Sequence, residues 1–362
     1  MFDLSRLSIG FLAGTLGQGG AERQLFYLLS ALKESGARLQ LFCLTRGEFW
    51  EDALSSLEIP VIWIGQHPSR LARLVRLIGE LRKDRPQIIQ SQHFYTNIYA
   101  AAAARALGLR EIGALRNDCV SEVQSVGKFM GKISLRLPRT IAANSQAAIR
   151  KATEMGFPGT RLHWLSNVVD TSHFTPRPRG LNETIKIAAV GRLVNQKRFD
   201  RFLSVLARAN AQAPGSFQAL IAGEGPLRPR LERQAAEAGL QEIVQFAGAV
   251  SDPREIYHKV DLLVLTSDWE GSPNVVLEAM ACGLPVVATR VGDLSEFMVE
   301  GETGFLAAPE DEEKLVAAVT ELRQNAGLRR EMGRRARESV VAQHSLQQLP
   351  RRLQPFYEAV LA

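Results

Sequence analysis

Short apolar runs alternate with amphipathic segments along this chain, and the alternation stops at a proline-rich stretch and then begins again. The runs Leu7–Leu12 and Leu39–Leu44 predict buried strands, and the segment between them repeats leucines at helical spacing and ends at Gly36. Repeated strand–helix–strand units predict a parallel sheet with helices on both faces. The same pattern predicts a helix over Leu71–Arg85 and further strands at Val61–Ile64, Ile88–Ile89, Ile112–Leu115 and Ile141–Ala143.

The stretch Thr175–Gly180 has two prolines and a glycine, which predict a linker because they cannot continue a helix or a central strand. After it, strands are expected at Ile185–Val190, Ala219–Ala222, Val244–Phe246, Leu262–Leu265 and Pro285–Val287. Helices are expected at Phe199–Ala211, Leu227–Ala238, Pro273–Ala281 and Glu310–Arg323. The predicted fold is therefore α/β, with two Rossmann-like, doubly wound parallel-sheet domains, residues 1–172 and 182–346, facing across a cleft. A C-terminal helix within 347–362 is expected to pack back on the first domain.

The composition fits a folded protein: 46% of the residues are hydrophobic and 23% are charged. The three cysteines are far apart, which favours a reducing compartment over a disulfide framework. The apolar run near the N-terminus is broken by Gly10 and Gly14, and no stretch is long enough to span a membrane. We expect a cytoplasmic protein, either free or peripheral on the cytoplasmic face of the membrane.

The formal net charge of +6 favours an anionic partner, although many proteins carry such an excess without a functional reason. Nucleotide phosphates and an anionic membrane face both fit this charge. Nucleic acid does not, because aromatic residues make up 7% of the chain and no nucleic-acid-binding motif is present.

The segment Glu270–Met280 follows a predicted strand and is expected to open a helix, with Ser272 as N-cap and Pro273 as first helical residue. The N–H groups of Asn274 and Val275 would then form an anion site suited to a diphosphate. Glu278, one turn further on, can accept hydrogen bonds from ribose hydroxyls, and Glu270 from sugar hydroxyls. An ordinary capped helix with acidic neighbours would explain the same residues.

The loop Gly191–Lys197 directly follows the predicted strand Ile185–Val190. Gly191 lets the backbone approach a ligand closely. Arg192 and Lys197 place two cations in one loop, where they could neutralise a departing diphosphate. A solvated basic turn is the alternative interpretation.

Two weaker signals lie in the first domain. The loop Gly14–Gly20 could hold phosphate or sugar oxygens at a helix N-terminus, or be a structural turn, and it lacks the order of glycines of a dinucleotide site. His93 follows the strand around Ile88, where a histidine could position a substrate or serve the structure alone. The histidines and cysteines show no metal-ligand spacing, so no metal site is predicted.

Five motifs together resemble those of the retaining family 4 glycosyltransferases, which have the GT-B fold, and the resemblance covers almost the whole chain. They are Gly19-Gly20-Ala21-Glu22-Arg23, the Gly191–Lys197 loop, Gly223-Glu224-Gly225-Pro226, Glu270–Met280 and Gly283–Ala288. One departure is the pair Gly292-Asp293, where the family often has two glycines. The Asp293 side chain would either narrow the donor pocket or reach the acceptor.

The resemblance assigns a role to each motif. It implies catalytic roles for His93, Arg192, Lys197 and Glu270. It also implies contacts with the donor. Arg192 and Lys197 would bind the diphosphate, Glu278 the ribose and Glu270 the transferred sugar. The amides of Asn274 and Val275 would lie near the phosphates, Val250 near the nucleobase, His93 beside the sugar, and Gly19 and Gly20 near the sugar or phosphate.

The implied activity is metal-independent hexosyl transfer with retention and without a cofactor. A UDP-sugar donor is expected in preference to a GDP-sugar, with a glycan or lipid-linked acceptor in cell-surface polysaccharide or lipopolysaccharide biosynthesis. A non-catalytic subunit that binds nucleotide sugars and a nucleotide-sugar epimerase are the alternatives.

Two basic segments of the first domain predict contact with an anionic membrane surface. Residues 69–85 carry six arginines and lysines around the apolar stripe Leu71, Leu74, Val75, Ile78 and Leu81, and residues 126–139 add four more. The stripe is expected to pack on the sheet and leave the basic face exposed. A solvated basic face is the alternative.

Overall fold

The computed structural model describes residues 3–178, 180 and 184–361 of the protein. Its contacts divide the chain into two compact units: unit 1 comprises residues 1–168 and 347–362, and unit 2 comprises residues 169–346. Val169 belongs to unit 2 because its N–H donates to the His344 carbonyl at 2.8 Å and its carbonyl accepts from the Leu346 N–H at 2.9 Å. Arg179 of the predicted linker, and residues 182 and 183 at the predicted start of the second domain, lie outside the described residues.

Unit 1 alternates strands and helices, as the apolar pattern predicts. Its strands are β1 (Ser8–Ala13), β2 (Arg38–Cys43), β3 (Val61–Trp63), β4 (Ile88–Ser91), β5 (Arg110–Leu115), β6 (Thr140–Ala143) and β7 (Leu162–Trp164). Its helices before the linker are α1 (Gly20–Glu34), α2 (Glu51–Ser55), α3 (Arg70–Lys83), α4 (Asn97–Leu107), α5 (Cys119–Ser125), α6 (Lys128–Arg136) and α7 (Gln146–Glu154). The strands form one parallel sheet in the order β3-β2-β1-β4-β5-β6-β7.

Unit 2 repeats the arrangement. Its strands are β8 (Ile185–Val190), β9 (Phe217–Ala222), β10 (Val244–Gly248), β11 (Leu262–Leu265), β12 (Val286–Thr289) and β13 (Gly304–Ala307). Its helices are α8 (Phe199–Gln212), α9 (Arg228–Glu237), α10 (Arg254–Tyr257), α11 (Asn274–Ala281), α12 (Leu294–Phe297), α13 (Glu312–Gln324) and α14 (Ala326–His344). The sheet is parallel in the order β10-β9-β8-β11-β12-β13. The chain then ends in α15 (Leu349–Leu361), which belongs to unit 1.

Each sheet of this kind buries both faces, which explains the nearly continuous apolar strands. In β8, Ile187 and Ala189 belong to one core cluster of unit 2 and Ala188 to the other, because successive side chains point to opposite faces. The predicted class, two Rossmann-like parallel-sheet domains, is confirmed. Across the described part of the chain, every helix is too short or too polar to cross a membrane.

Two local predictions are wrong. Helix α11 begins at Asn274 with Pro273 in the N-cap position, so Ser272 is not the N-cap and Pro273 is not the first helical residue. In α3, Leu71 and Val75 are 69% and 62% exposed instead of packing on the sheet, whereas Leu77 and Leu81 are fully buried. Val75 lies about 100° around the helix from Leu74, outside the narrower face that the sheet covers.

Candidate active site

The predicted site loops of unit 2 leave the carboxyl ends of two strands that are neighbours in the sheet but not in sequence. Strands β9 and β10 extend to one side of β8, and β12 and β13 extend to the other side of β11. At such a reversal of strand order, the loops separate and leave a crevice in which parallel sheets bind their ligands. The loops 191–198 and 266–273 therefore border the expected ligand position of unit 2.

Hydrogen bonds join these two loops to each other. The Asp268 N–H donates to the Gln196 carbonyl at 2.9 Å, and Gln196 Nε2 donates to the Trp269 carbonyl at 2.8 Å. The Asp268 carboxylate also accepts from Arg198 at 3.1 Å and from Arg201 at 2.8 Å. The two loops thus form one braced structure that fixes the side chains they carry.

Lys197 and Glu270 meet across the braced loops. Lys197 Nζ donates to Glu270 Oε1 at 2.5 Å, and Ser267 Oγ donates to the same oxygen at 2.6 Å. The two charged side chains are only 15% and 8% exposed, so the pair is largely withdrawn from water. An ammonium and a carboxylate held this way can bind two neighbouring groups of one ligand, the ammonium a phosphate and the carboxylate a sugar hydroxyl.

The other two predicted charged residues behave differently. Arg192 is exposed, and within the described residues its side chain forms no ion pair. Glu278 is 2% exposed, and its Oε2 accepts a hydrogen bond from the Tyr257 hydroxyl at 2.9 Å. The structure therefore brings Lys197 together with Glu270 and places neither Arg192 nor Glu278 in that pair.

The remaining predicted donor contacts of unit 2 lie at helix and strand ends. Asn274 and Val275 are the first two residues of α11 and are half-buried. Val250 follows β10 and packs against the core cluster that contains Ala222 and Tyr257. These positions are compatible with a ligand beyond the strand ends, and their roles stay predictions.

Asp293 lies against the Glu270 loop. Its N–H donates to the Gly271 carbonyl at 2.9 Å, and the residue, which is 2% exposed, occupies the N-cap position of the short helix α12. The preceding Gly292 has a φ of +56°, and a methyl group there would lie 2.8 Å from the Glu270 carbonyl oxygen. Asp293 is thus a buried neighbour of the loop that carries Glu270.

In unit 1 the strand order reverses between β1 and β4, and the predicted Gly14–Gly20 loop and His93 follow these two strands. The Gly14 N–H donates to His93 Nδ1 at 3.1 Å, and His93 Nε2 lies 3.0 Å from Glu22 Oε1. Because a backbone N–H can only donate, Nδ1 is the acceptor and Nε2 carries the proton. Both imidazole nitrogens are held, which fixes the orientation of the His93 ring.

The glycine loop makes room for this arrangement. Gly19 occupies the N-cap position of α1 and Gly20 is its first residue. A methyl group on Gly19 would collide with Glu22 Oε2, and one on Gly14 would collide with the ring of Tyr95, which stacks on His93 at 5.4 Å. Burial raises the pKa of Tyr95 to about 12, so its hydroxyl stays protonated at neutral pH. A contact of Gly19 and Gly20 with a sugar or phosphate stays a prediction.

Glu22 and Tyr257 escaped the sequence-based assignment. Glu22 lies inside the motif Gly19–Arg23, which was a usable signal, whereas Tyr257 lies outside every recognised motif and enters a core cluster only in the folded structure. The described residues contain no group of three or more histidine, cysteine, aspartate or glutamate side chains placed to hold a metal ion.

Comparison with known proteins identifies relatives over most of the chain. It is 27% identical over 338 residues to the lipopolysaccharide core biosynthesis glycosyltransferase LpsE of Rhizobium meliloti, which is 90% of this chain and 92% of LpsE. It is 28% identical over 284 residues to a GDP-mannose-dependent alpha-(1-6)-phosphatidylinositol monomannoside mannosyltransferase of Mycolicibacterium smegmatis, which is 70% of this chain and 71% of that protein.

Solved structures share the whole fold. HepE of Anabaena in complex with UDP-glucose superposes with a TM-score of 0.86 at 19% identity, over 98% of this chain and 100% of HepE. The lipopolysaccharide outer core galactosyltransferase WaaB superposes with a TM-score of 0.75 at 18% identity, over 98% of this chain and 99% of WaaB. The fold is therefore GT-B.

Two family models match successive parts of the chain. The model "Glycosyltransferase Family 4" matches residues 18–173, and the model "Glycosyl transferases group 1" matches residues 174–339. Together they cover both units, including the Gly19–Arg23, Gly191–Lys197 and Glu270–Met280 motifs. The chain therefore belongs to the family 4 glycosyltransferases.

Proposed function

We propose that this glycosyltransferase moves a hexose from a nucleotide sugar to a glycan or lipid-linked acceptor, with retention of anomeric configuration, in the synthesis of a cell-surface polysaccharide or lipopolysaccharide. The observation that carries the proposal is the Lys197–Glu270 pair, held at 2.5 Å at the reversal point of the unit 2 sheet. The relative LpsE, named for lipopolysaccharide core biosynthesis, supports the choice of pathway.

The donor would be bound through complementary charges. Lys197 and Arg192 would contact the diphosphate, and the first amides of α11 at Asn274 and Val275 would face it. Glu270 would accept from hydroxyls of the transferred sugar, Glu278 from the ribose, and Val250 would contact the base. The positive groups would lie where charge develops on the departing diphosphate, and on this proposal no metal ion is required.

The chemical step has a simple balance. A bond forms between the acceptor oxygen and the anomeric carbon, and the bond between that carbon and the diphosphate oxygen breaks on the same face. The proton of the acceptor hydroxyl passes to the departing diphosphate oxygen. His93, with its proton on Nε2, would lie beside the transferred sugar, with Gly19 and Gly20 near the sugar or phosphate.

The choice of base is part of the proposal. The structure of HepE holds UDP-glucose, which supports a UDP-sugar, whereas the mycobacterial relative is named for GDP-mannose. We infer a UDP-sugar because HepE matches 98% of this chain in structure, whereas the mycobacterial relative matches 70% of it in sequence. Purified protein would be given UDP- or GDP-hexoses labelled in the sugar, a core-truncated lipopolysaccharide as acceptor, and EDTA.

The expected result is label in the lipopolysaccharide with a UDP-hexose, unchanged by EDTA, and an α-linked product from an α-linked donor by proton NMR. A β-linked product would contradict retention. Binding of a donor without transfer to any acceptor offered, or without release of its sugar, would support the non-catalytic alternative. Epimerisation of the donor sugar would support the other alternative, a nucleotide-sugar epimerase.

Glu22 offers a test of the His93 arrangement. Replacing Glu22 with alanine removes the acceptor of the Nε2 proton, and a hydrogen bond to a charged group contributes about 1.5–3 kcal/mol. If this energy orients His93 in the transition state, transfer falls roughly ten- to a hundredfold. Glu22→Gln keeps an oxygen acceptor and should retain most of the rate. The exposed Glu34 on the same helix provides the control, Glu34→Ala.

We also propose that unit 1 binds an anionic membrane surface through residues 69–85 and 126–139. The exposed side chains combine apolar and basic character: Leu71 and Val75 on α3, and Phe129, 76% exposed, on α6 beside the exposed Lys128 and Lys132. Apolar side chains can enter the headgroup region while each neighbouring Lys or Arg adds about 1 kcal/mol of attraction to anionic lipid. A lipid-linked acceptor would then be met at the surface.

Flotation with vesicles of phosphatidylglycerol and phosphatidylcholine tests this surface. The protein should float with anionic vesicles in low salt and be released by high salt, and Phe129→Ser together with Val75→Ser should weaken binding at least fivefold. The exposed Val299 of unit 2 gives a matched control, Val299→Ser, which should bind normally. Equal flotation of the double variant and wild type would contradict the assignment, as would binding insensitive to salt.

A further inference from the structure

Polar residues directly follow three neighbouring strands of the unit 1 sheet. Gln92, Arg116 and Asn144 come one position after the last residues of β4, β5 and β6. The parallel register places these ends side by side, and the Asn144 N–H donates to the Leu115 carbonyl at the end of β5. The three residues therefore share the carboxyl edge of the sheet, beside the reversal point at β1 and β4, where such sheets bind ligands.

These residues, together with Gln90 inside β4, hold polar atoms without a hydrogen-bond partner among the described residues. The atoms are Gln90 Nε2, Gln92 Oε1, Arg116 Nε and Asn144 Oδ1. Gln90 and Gln92 are completely buried, and Asn144 is 3% exposed. Buried polar atoms are nearly always paired, and each one left unpaired costs about 1–3 kcal/mol. Four at one sheet edge indicate a place built for a polar ligand rather than for stability.

Arg116 indicates that this ligand is negatively charged. Within the described part of the chain, its guanidinium forms neither an ion pair nor a hydrogen bond. Burial lowers its pKa to about 10, which leaves it charged at neutral pH. A half-buried cation of this kind is stabilised by an anion that accepts hydrogen bonds from its guanidinium.

The neighbouring acid does not cancel this charge fully. The Glu122 carboxyl on α5 accepts from the Arg116 backbone N–H, and burial raises its pKa to about 7. Near neutral pH it is therefore ionised in only part of the molecules. Tyr357 also interacts with Arg116, but it is fully buried and its neutral hydroxyl donates to Gln90 Oε1 at 2.7 Å, so it presents no charge to Arg116.

We propose that Arg116 Nε and Gln90 Nε2 donate to an anionic group of the acceptor, a carboxylate or a phosphate, while Gln92 Oε1 and Asn144 Oδ1 accept from hydroxyls beside that group. This inference rests on the proposed function, because it takes unit 1 to hold the acceptor. Gln92 directly precedes His93, so the anion would be held close to the residue proposed to lie beside the transferred sugar. Arg116 is then a specificity-determining residue that selects acidic acceptor sugars.

The proposal is tested by NMR titration, in which small probes are added to the protein saturated with UDP. The probes are methyl α-glucuronide for a carboxylate, glucose 6-phosphate for a phosphate, and methyl α-glucoside as the neutral reference. Wild type should bind at least one anionic probe tenfold more tightly than the neutral one, and the preferred probe identifies the source of the charge. Arg116→Gln should lose this preference, and Arg116→Lys should keep only part of it.

The controls separate failure of this inference from failure of the proposed function. Arg161→Gln, at an exposed position of unit 1, should bind all probes as wild type does. Glu122→Gln removes the competing carboxylate and should bind the anionic probe equally or more tightly. Equal affinity of wild type for anionic and neutral probes, or an unchanged preference in Arg116→Gln, would overturn the inference. If the wild-type protein does not bind UDP, the proposed function is contradicted instead.

Discussion

Replacing Lys197 with methionine should lower the rate of sugar transfer about 10²–10³-fold at saturating donor. Removing one preorganised donor of this kind from a developing negative charge costs about 2.7–4 kcal/mol of transition-state stabilisation. Lys197 is suited to this role because it is 15% exposed and is aimed by the braced loops toward Glu270. Methionine keeps most of the side-chain volume and removes only the charge.

The same change also removes the ion-pair partner of Glu270, so stability must be followed separately. Glu270 keeps the Ser267 hydroxyl at 2.6 Å, and we expect a loss of about 1–2 kcal/mol in the free energy of unfolding. The double variant Lys197→Met/Glu270→Gln should regain that stability without regaining activity. Lys186→Met, at an exposed position of β8, is the control. Near-normal kcat in folded Lys197→Met would refute the role assigned to this lysine.

Replacing Gly223 with alanine should destabilise unit 2 by roughly 2–4 kcal/mol and abolish donor binding. Gly223 has a φ of +141°, and a methyl group there would collide with the carbonyl oxygen of Gly191. The collision would push apart the ends of β8 and β9 and displace the loop that carries Lys197. Thermal unfolding and donor titration measure the two effects.

Gly215 provides the matched control for that change. Its φ of +75° is also positive, but a methyl group there would meet no atom within 4 Å. Gly215→Ala should therefore cost only the backbone strain, roughly 1–3 kcal/mol, and leave donor affinity intact. The difference between the two variants reports the close approach at Gly191. Equal stability and equal donor affinity of both variants would contradict this account of the loop.

The sequence predicts regular, strongly apolar elements well and irregular ones poorly. Strands β8 and β11 match their predicted bounds, because β11 is a continuous apolar run and β8 is one interrupted only by Lys186. Strand β7 has only three residues, one of them a histidine, and does not stand out, whereas β13 was not predicted although three of its four residues are apolar. Helix α14 is mostly polar around its circumference and α4 is rich in alanine, so neither shows a clear helical period.

Site residues were predictable where a local motif carries them. Lys197, Glu270 and Glu278 lie in such motifs, yet the sequence grouped Lys197 with Arg192, whereas the structure pairs it with Glu270, 73 residues away. Two other pairs, Glu22 with His93 and Tyr257 with Glu278, also join residues that are far apart in the sequence and meet only in the folded chain. The prediction that Leu71 and Val75 pack on the sheet was wrong, because the spacing of apolar residues does not show how wide a face of the helix the sheet covers.

The most direct test of the central claim, donor binding by unit 2, is thermal unfolding of the protein with UDP-sugars, GDP-sugars and the free diphosphates. A ligand that binds only the folded state raises the melting temperature. At a concentration 100 times its Kd it adds about 2.7 kcal/mol to the free energy of unfolding. We predict a clear increase with uridine nucleotides, a smaller one with guanosine nucleotides, and loss of the increase in Glu278→Gln. An unchanged melting temperature with every nucleotide, or the same increase in Glu278→Gln as in wild type, would contradict the account.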